Sequence, residues 1–284
     1  MKPTSLIFLV LSVILFLGGF TVCKYAESRA KKTSEPIFDS EKNENGDFVA
    51  KKAFGNEAIS SVSLKFDGVD VEIVSGGDES YIELVNFEPF SYSFSLASSS
   101  ISADGTVGFV SSMLDRSEGG LQFRGLRYFF ADKPEKTAKK TVKLCVSPYA
   151  KLNSLVLTVT NGNVTVTDIA NPVDYTISVS GGNLFVSGTE TTSVFNATVR
   201  DGNFECNTSA ALTLIAKIEN GECKVAANGA FLPGTTAYEL TATGGTVIYD
   251  GSILEEDTYR VTPTVTKNLI RISVKNGNLN VNDG

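Results

Sequence analysis

One ten-residue pattern returns six times in the second half of this chain, and it restricts the fold more than any other feature. The first copy is Leu157-Thr158-Val159-Thr160-Asn161-Gly162-Asn163-Val164-Thr165-Val166, and the others occupy 177–186, 197–206, 216–225, 240–249 and 272–281. With Gly162, Gly182, Gly202, Gly221, Gly245 and Gly277 as markers, successive copies lie 20, 20, 19, 24 and 32 residues apart. Recurrence at a near-fixed period is the mark of a repeat architecture. Within each copy, apolar residues stand five and three places before the Gly and two and four places after it, with Thr or Ser common between them. Side chains two apart on a strand share a face. Each copy therefore reads as two strands with one dry side and one wet side.

Two structures satisfy this pattern. In a hairpin meander, Asn161-Gly162 closes a tight turn and Val159 faces Val164. In a β-solenoid, Asn-Gly is a corner and each copy stacks on the next. The near-constant spacing favours the stack, because identical rungs need equal path lengths. Asn163, Asn183, Asn203 and Asn278 follow the marker Gly, with Glu222 and Thr246 as departures. Stacked Asn side chains form hydrogen-bonded ladders, although ordinary turn propensity accounts for the same residues without stacking. The expected class is all-β: a β-solenoid, or rack of stacked strand–turn–strand repeats, over 151–284. Residues 59–150 alternate less regularly and are expected to continue or cap that stack.

Composition removes several chemistries. The chain has no His, which excludes Ser–His–Asp and Cys–His catalysis, His-ligated zinc and a histidine pH switch. Its net charge of −7 disfavours a sequence-independent grip on nucleic acid. None of Cys23, Cys145, Cys206 and Cys223 forms a CxxC pair, so no metal or cofactor is expected. Glu205, Glu219 and Glu222 are too sparse to suggest a hydrolytic carboxylate pair, and the acidic loop around Glu255, Glu256 and Asp257 reads as solvated. The chain is read as non-enzymatic.

Residues 6–22 form an uncharged apolar run, the basis for a retained signal anchor or transmembrane helix over 1–23. Lys24, Arg29, Lys31 and Lys32 follow it against Lys2 before it, which by the positive-inside rule favours a cytoplasmic C-terminal side. A Thr/Ser-rich β domain behind an N-terminal hydrophobic segment is nevertheless the layout of an exported protein. The expectation is a single-pass cell-membrane protein with its β domain extracytoplasmic, joined by a polar linker over 24–58.

Three further features bear on binding. A basic-aromatic loop carries Arg124, Arg127, Tyr128, Phe129 and Phe130, either a partner-binding loop or a strand with a buried aromatic face. Cys206 and Cys223 fall on inward positions of neighbouring copies and read either as a diagonal disulfide or as two small core thiols. The last strand pair, with Arg271 and Lys275 outward, is expected at an open end where self-association is conceivable.

The run 142–166, with its apolar strand, Ser147-Pro148 turn, Leu152-to-Leu155 step and Asn161-Gly162-Asn163 corner, resembles the bacterial putative-adhesin family of strand-repeat domains. The resemblance covers 59–284, including 66–73. It implies a β-helix-like or rack-like fold, an extracytoplasmic location and a role in adhesion or envelope sensing, with a protein or glycan partner at the cell surface. The competing classes are an accessory sensor of an envelope-stress system and a polysaccharide-processing β-helix enzyme. The repeat register itself is testable. Val199→Asp places a charge on an inward position of a central copy, and it is expected to unfold much of the array, read as lost protease resistance.

Overall fold

The computed structural model describes residues 41–55, 59–87, 92–96, 100–105, 114–117, 120–123, 134–135, 137–168, 173–188, 194–207, 213–226 and 234–282. The apolar segment 1–23 lies outside these residues, as do Arg124, Arg127, Tyr128, Phe129 and Phe130. Every described element is a strand, and among the described residues no helix is long and apolar enough to cross a membrane.

Each repeat contributes one long and one short strand, and the two go to different sheets. The long strands Ser154–Thr160, Asp174–Ser180, Val194–Arg200 and Thr213–Glu219 pair in parallel, in that order, within a ten-stranded sheet. The short strands Val164–Thr167, Leu184–Ser187, Phe204–Asn207 and Cys223–Ala226 do the same within a twelve-stranded sheet. The Asn-Gly step is therefore a corner between sheets. The strands flanking it do not pair with each other, and the hairpin reading is set aside.

Pairing joins equivalent positions of successive copies, so like side chains stack in rows. One row runs Leu64, Leu157, Ile177, Ala197, Ala216, Ile272 and Leu240, another Val71, Val164, Leu184, Phe204, Cys223, Leu279 and Val247. All of these are buried in one core between the sheets. Size is balanced within a rung. The copy that carries Phe195 and Phe204, stacked at 6.4 Å and 22°, has Ala197 between them in the long strand, as close packing of the interior requires.

Two different demands shape the corner. The residue before the marker Gly carries the left-handed backbone: φ is 54° at Asn161, 54° at Asp201, 58° at Asn220 and 56° at Asn276, with Gly at 181 and 244. These are the residue types that tolerate this region. The marker Gly is required for a separate reason, namely close approach. A Cβ on Gly182 would lie 2.0 Å from the carbonyl oxygen of Gly162, and one on Gly202 would lie 1.8 Å from that of Gly182. The column continues through Gly221, Gly277 and Gly245, each pressed on the carbonyl of the copy before it in space.

That order in space corrects the expected one. Asn268–Lys275 lies between Thr213–Glu219 and Thr236–Thr243, and Leu279–Asn282 lies between Cys223–Ala226 and Val247–Tyr249. The sixth copy is thus inserted between the fourth and the fifth. The uneven spacings of 24 and 32 follow, since the chain first skips a rung and later returns to fill it. The last strand pair is interior rather than an open end. The edges here are the antiparallel strands Ser252–Ile253 and Thr258–Val261.

At the opposite end, Ser61–Asp67 and Asp70–Ser75 form a further rung with Gly68-Val69 at its corner. Ser100–Asp104 and Ser93–Leu96 extend the ten-stranded sheet, while Thr141–Val146, Ser80–Val85, Phe48–Phe54 and Glu41–Lys42 extend the other. Part of the span read as a linker is therefore sheet. Phe48 and Ala50 are buried, an alternation masked in the sequence by the polar residues around it. A separate two-stranded sheet pairs Leu114–Ser117 with Gly120–Phe123.

Cys206 and Cys223 are free thiols, fully buried in the inward rows. Burial pushes the Cys206 thiol up to about 12, and burial together with Cys206 raises Cys223 as well, so neither is a ready nucleophile. The corner contact gives a direct prediction. Gly202→Ala is expected to cost about 3 kcal/mol or more, because backbone rather than a flexible side chain opposes the methyl group. Asn161→Gly, which keeps the left-handed φ, is expected to change stability by less than about 1 kcal/mol. Urea midpoints of the two variants check both.

Candidate functional site

The inward rows are occupied by packing, so any surface that meets a partner lies on the corner column, on an outer sheet face or at an end of the stack. The Gly residues singled out by the sequence are packed against the backbone of the neighbouring rung, where they serve the stack. Among the described residues no group of three His, Cys, Asp or Glu is placed to hold a metal ion. A crevice lined by Phe54, Ile59, Val62, Val146 and Leu152 has room for about one water molecule.

Along the corner runs a polar column. The Asn163 amide oxygen accepts from the Asn183 backbone N–H at 3.0 Å and from its side-chain amide at 3.1 Å, and Asn183 in turn accepts from the Asn203 backbone N–H at 2.9 Å. Asn203 accepts from the Glu222 N–H at 2.9 Å, and Asn278 from the Thr246 N–H at 3.1 Å. The ladder allowed by the sequence is therefore present. Glu222 and Thr246 stand where only the backbone donor is needed.

The column begins on a charge. Asp70 accepts from the Asn163 backbone N–H at 2.8 Å and from its side-chain amide at 3.1 Å, while Lys139 Nζ lies 2.7 Å from the other carboxylate oxygen. Burial opposes ionisation of Asp70. The Lys139 and Asn163 hydrogen bonds and the Lys139 charge outweigh it and hold the carboxyl below its usual value.

The outer face of the ten-stranded sheet is the broadest regular surface. Its midsection carries Thr158, Thr176, Ser178, Asn196 and Thr198. Toward the Thr258–Val261 edge the face becomes charged. Glu219 lies between Arg200 at 3.1 Å and Lys275 at 3.4 Å, on three neighbouring strands. Glu239 lies between Arg271 and Arg260, at 2.5 and 3.2 Å. The Arg271 hydrogen bond, opposed by burial and helped by the charges of Arg271 and Arg260, holds the Glu239 carboxyl below its usual value. Lys217, exposed between these groups, has no ion-pair partner among the described residues.

Sequence reasoning placed Arg271 and Lys275 outward but not beside Arg200 and Lys217. Their adjacency follows from the inserted sixth copy, which no local pattern announces. The twelve-stranded sheet's outer face is less uniform, with Glu72, Thr165, half-buried Phe185, Glu205 and Lys224 in one row.

No family model matches this chain, and no curated protein matches it. Among solved structures, a putative cell adhesion protein from Clostridium sporogenes ATCC 15579 is similar with a TM-score of 0.43 and 13% identity, over 86% of this chain and 99% of that one. A putative adhesin from Parabacteroides merdae ATCC 43184 has a TM-score of 0.30 and 13% identity, over 82% and 95% of the two chains. A putative lipid binding protein from Parabacteroides distasonis ATCC 8503 has a TM-score of 0.28 and 11% identity, over 82% and 96%.

The Asp70 site predicts a pH dependence. A carboxyl lowered in the folded state stabilises the fold above its unfolded value, about 3.9, and that contribution is lost as pH falls through the lowered value. Asp70→Asn keeps the ladder acceptor and is expected to flatten the loss of stability between pH 5 and pH 2 (approximate bounds of the window). Asp70→Ala removes the acceptor and is expected to cost about 1 kcal/mol at neutral pH. Urea midpoints across pH test both, and identical pH profiles for wild type and Asp70→Asn would rule out this role.

Proposed function

We propose that this chain is a non-enzymatic, membrane-anchored, extracytoplasmic binding module: a β-solenoid rack that holds a flat polar face for adhesion or for attachment within the cell envelope. The observation that carries this reading is the outer face of the ten-stranded sheet. Parallel in-register strands repeat every ~4.8 Å, so Thr, Ser, Asn and charged side chains form a fixed two-dimensional array. A rigid array of this kind needs no ordering when it meets an extended partner, which keeps the entropic cost of binding low. The apolar run 6–22 supplies the anchor, and the Thr/Ser-rich repeats suit an exported location.

Two measurements on the full chain test the proposal. Thr198→Cys, on the outer face, is expected to react with a membrane-impermeant maleimide on whole cells; labelling only after lysis would reverse the orientation. The full chain in neutral detergent is expected to sediment with isolated cell envelopes at micromolar concentration. Failure to sediment with any envelope fraction would remove the binding role.

A further inference from the structure

We infer that the charged end of this same face binds a linear anionic polysaccharide through its carboxylates, an inference that rests on the surface-binding reading and names its ligand class. Arg200, Lys217, Arg271, Lys275 and Arg260 share the outer side of five adjacent strands: Val194–Arg200, Thr213–Glu219, Asn268–Lys275, Thr236–Thr243 and Thr258–Val261. Only Glu219 and Glu239 face them on those strands. Each of the two carboxylates lies between two cations and neutralises no more than one unit of charge, while Lys217 has no carboxylate partner among the described residues. The outward side of these five strands therefore carries an excess of cations, with the acidic loop Glu255-Glu256-Asp257 just beyond the Thr258–Val261 edge, on a chain whose net charge is −7.

Its geometry suits an extended polymer. Neighbouring strands are ~4.8 Å apart, and Arg271 and Lys275, four residues apart on one strand, are about 13 Å apart. The cations thus spread over the area of several sugar units instead of converging on one point. Asn196, Thr198, Ser273 and Thr241 lie among them and supply amide and hydroxyl groups at a pitch that sugar hydroxyls can meet. Arg presents a planar donor fork that matches a carboxylate.

Other polyanions fit less well. The outward positions of these strands hold no aromatic ring on which a base could stack, as single-stranded nucleic acid requires. Their apolar members are half-buried Val194, Ile215 and Leu269 and buried Ala237, which offer little to insert into a bilayer.

The test uses the full chain in neutral detergent with polygalacturonate as probe and uncharged dextran as comparison. Binding to polygalacturonate, absent for dextran, is expected to weaken at least about tenfold between 50 and 200 mM salt, as counterion release dictates for several contacts. The combined variant Arg200→Gln, Lys217→Gln and Lys275→Gln is expected to lose at least about tenfold in affinity at unchanged thermal stability, since all three side chains are exposed. The pair Lys143→Gln and Lys224→Gln, on the other sheet, is expected to change affinity less than about twofold and controls for two of the three charges removed. Equal binding by the triple variant and wild type overturns the assignment, as does tighter binding to single-stranded DNA or to phosphatidylserine vesicles. Envelope sedimentation without polygalacturonate binding overturns the ligand class alone, whereas loss of envelope sedimentation as well removes the reading beneath it.

Discussion

At each corner after the first, the carbonyl oxygen of one glycine presses on the place where the next glycine's Cβ would be, at 1.8 to 2.0 Å. This backbone-to-backbone contact sets much of the rest. A side chain at the marker position would hold the rungs apart, and the pairing of both sheets would fail together. A slip of one residue would bring Asn161 or Asn163 into the same space and reverse every inward and outward face. The neighbours of the glycine complete the device. The residue before it takes the left-handed turn, and its amide reaches the adjacent rung, as Asn161 does to Asp67, Asn220 to Asp201 and Asn276 to Asn220. The Asn after it receives the backbone N–H of the next rung. Register is thus enforced three times within three residues.

The same contact explains where the regular stack stops. Gly162 rests on the carbonyl of Val69, which has a side chain of its own and is buried. Beyond Val69 the two sheets are continued by Ser100–Asp104 and Thr141–Val146, strands from separate parts of the chain with no shared corner between them. The glycine column does not continue there: Gly105 and Gly76 pack against the side chains of Phe66 and Cys145 instead of a corner carbonyl. Both ends close with antiparallel strands, Phe48–Phe54 and Glu41–Lys42 on one side, Ser252–Ile253 and Thr258–Val261 on the other. Reversing strand direction interrupts the parallel template, one means of discouraging uncontrolled extension of a stack.

Much of this was legible in the residues. Alternation about the glycines predicts the inward rows, and Leu157, Val159, Val164 and Val166 are all buried. Near-equal spacings of 20, 20 and 19 point to parallel in-register rungs for the first four copies. Two things were not legible. Asp67-Gly68-Val69-Asp70 lacks the Asn-Gly signature because, at the end of the column, only the left-handed Gly68 and the ladder acceptor Asp70 are demanded. The exchanged order of the last two copies is also hidden. A pattern of inward and outward residues records what each strand faces, not which strand lies beside it. The basic-aromatic loop around Arg127 lies outside the described residues, and the surface that replaces it as a candidate depends on that exchange.

The charges gathered by this exchange call for a cause other than stability. Arg200, Glu219 and Lys275 form a row across three rungs, and Arg271, Glu239 and Arg260 a second row across three strands. All are on the surface, where ion pairs contribute little to folding and are weakened by salt. The first rungs make the comparison: Val156, Thr176 and Asn196 fill the positions equivalent to Arg271 with no charge at all, in strands just as well paired. The stack therefore does not need cations at these positions. On a chain with an acid excess, concentrating them on one sheet face works against the net field of the molecule and suits a face that meets negative charge from outside.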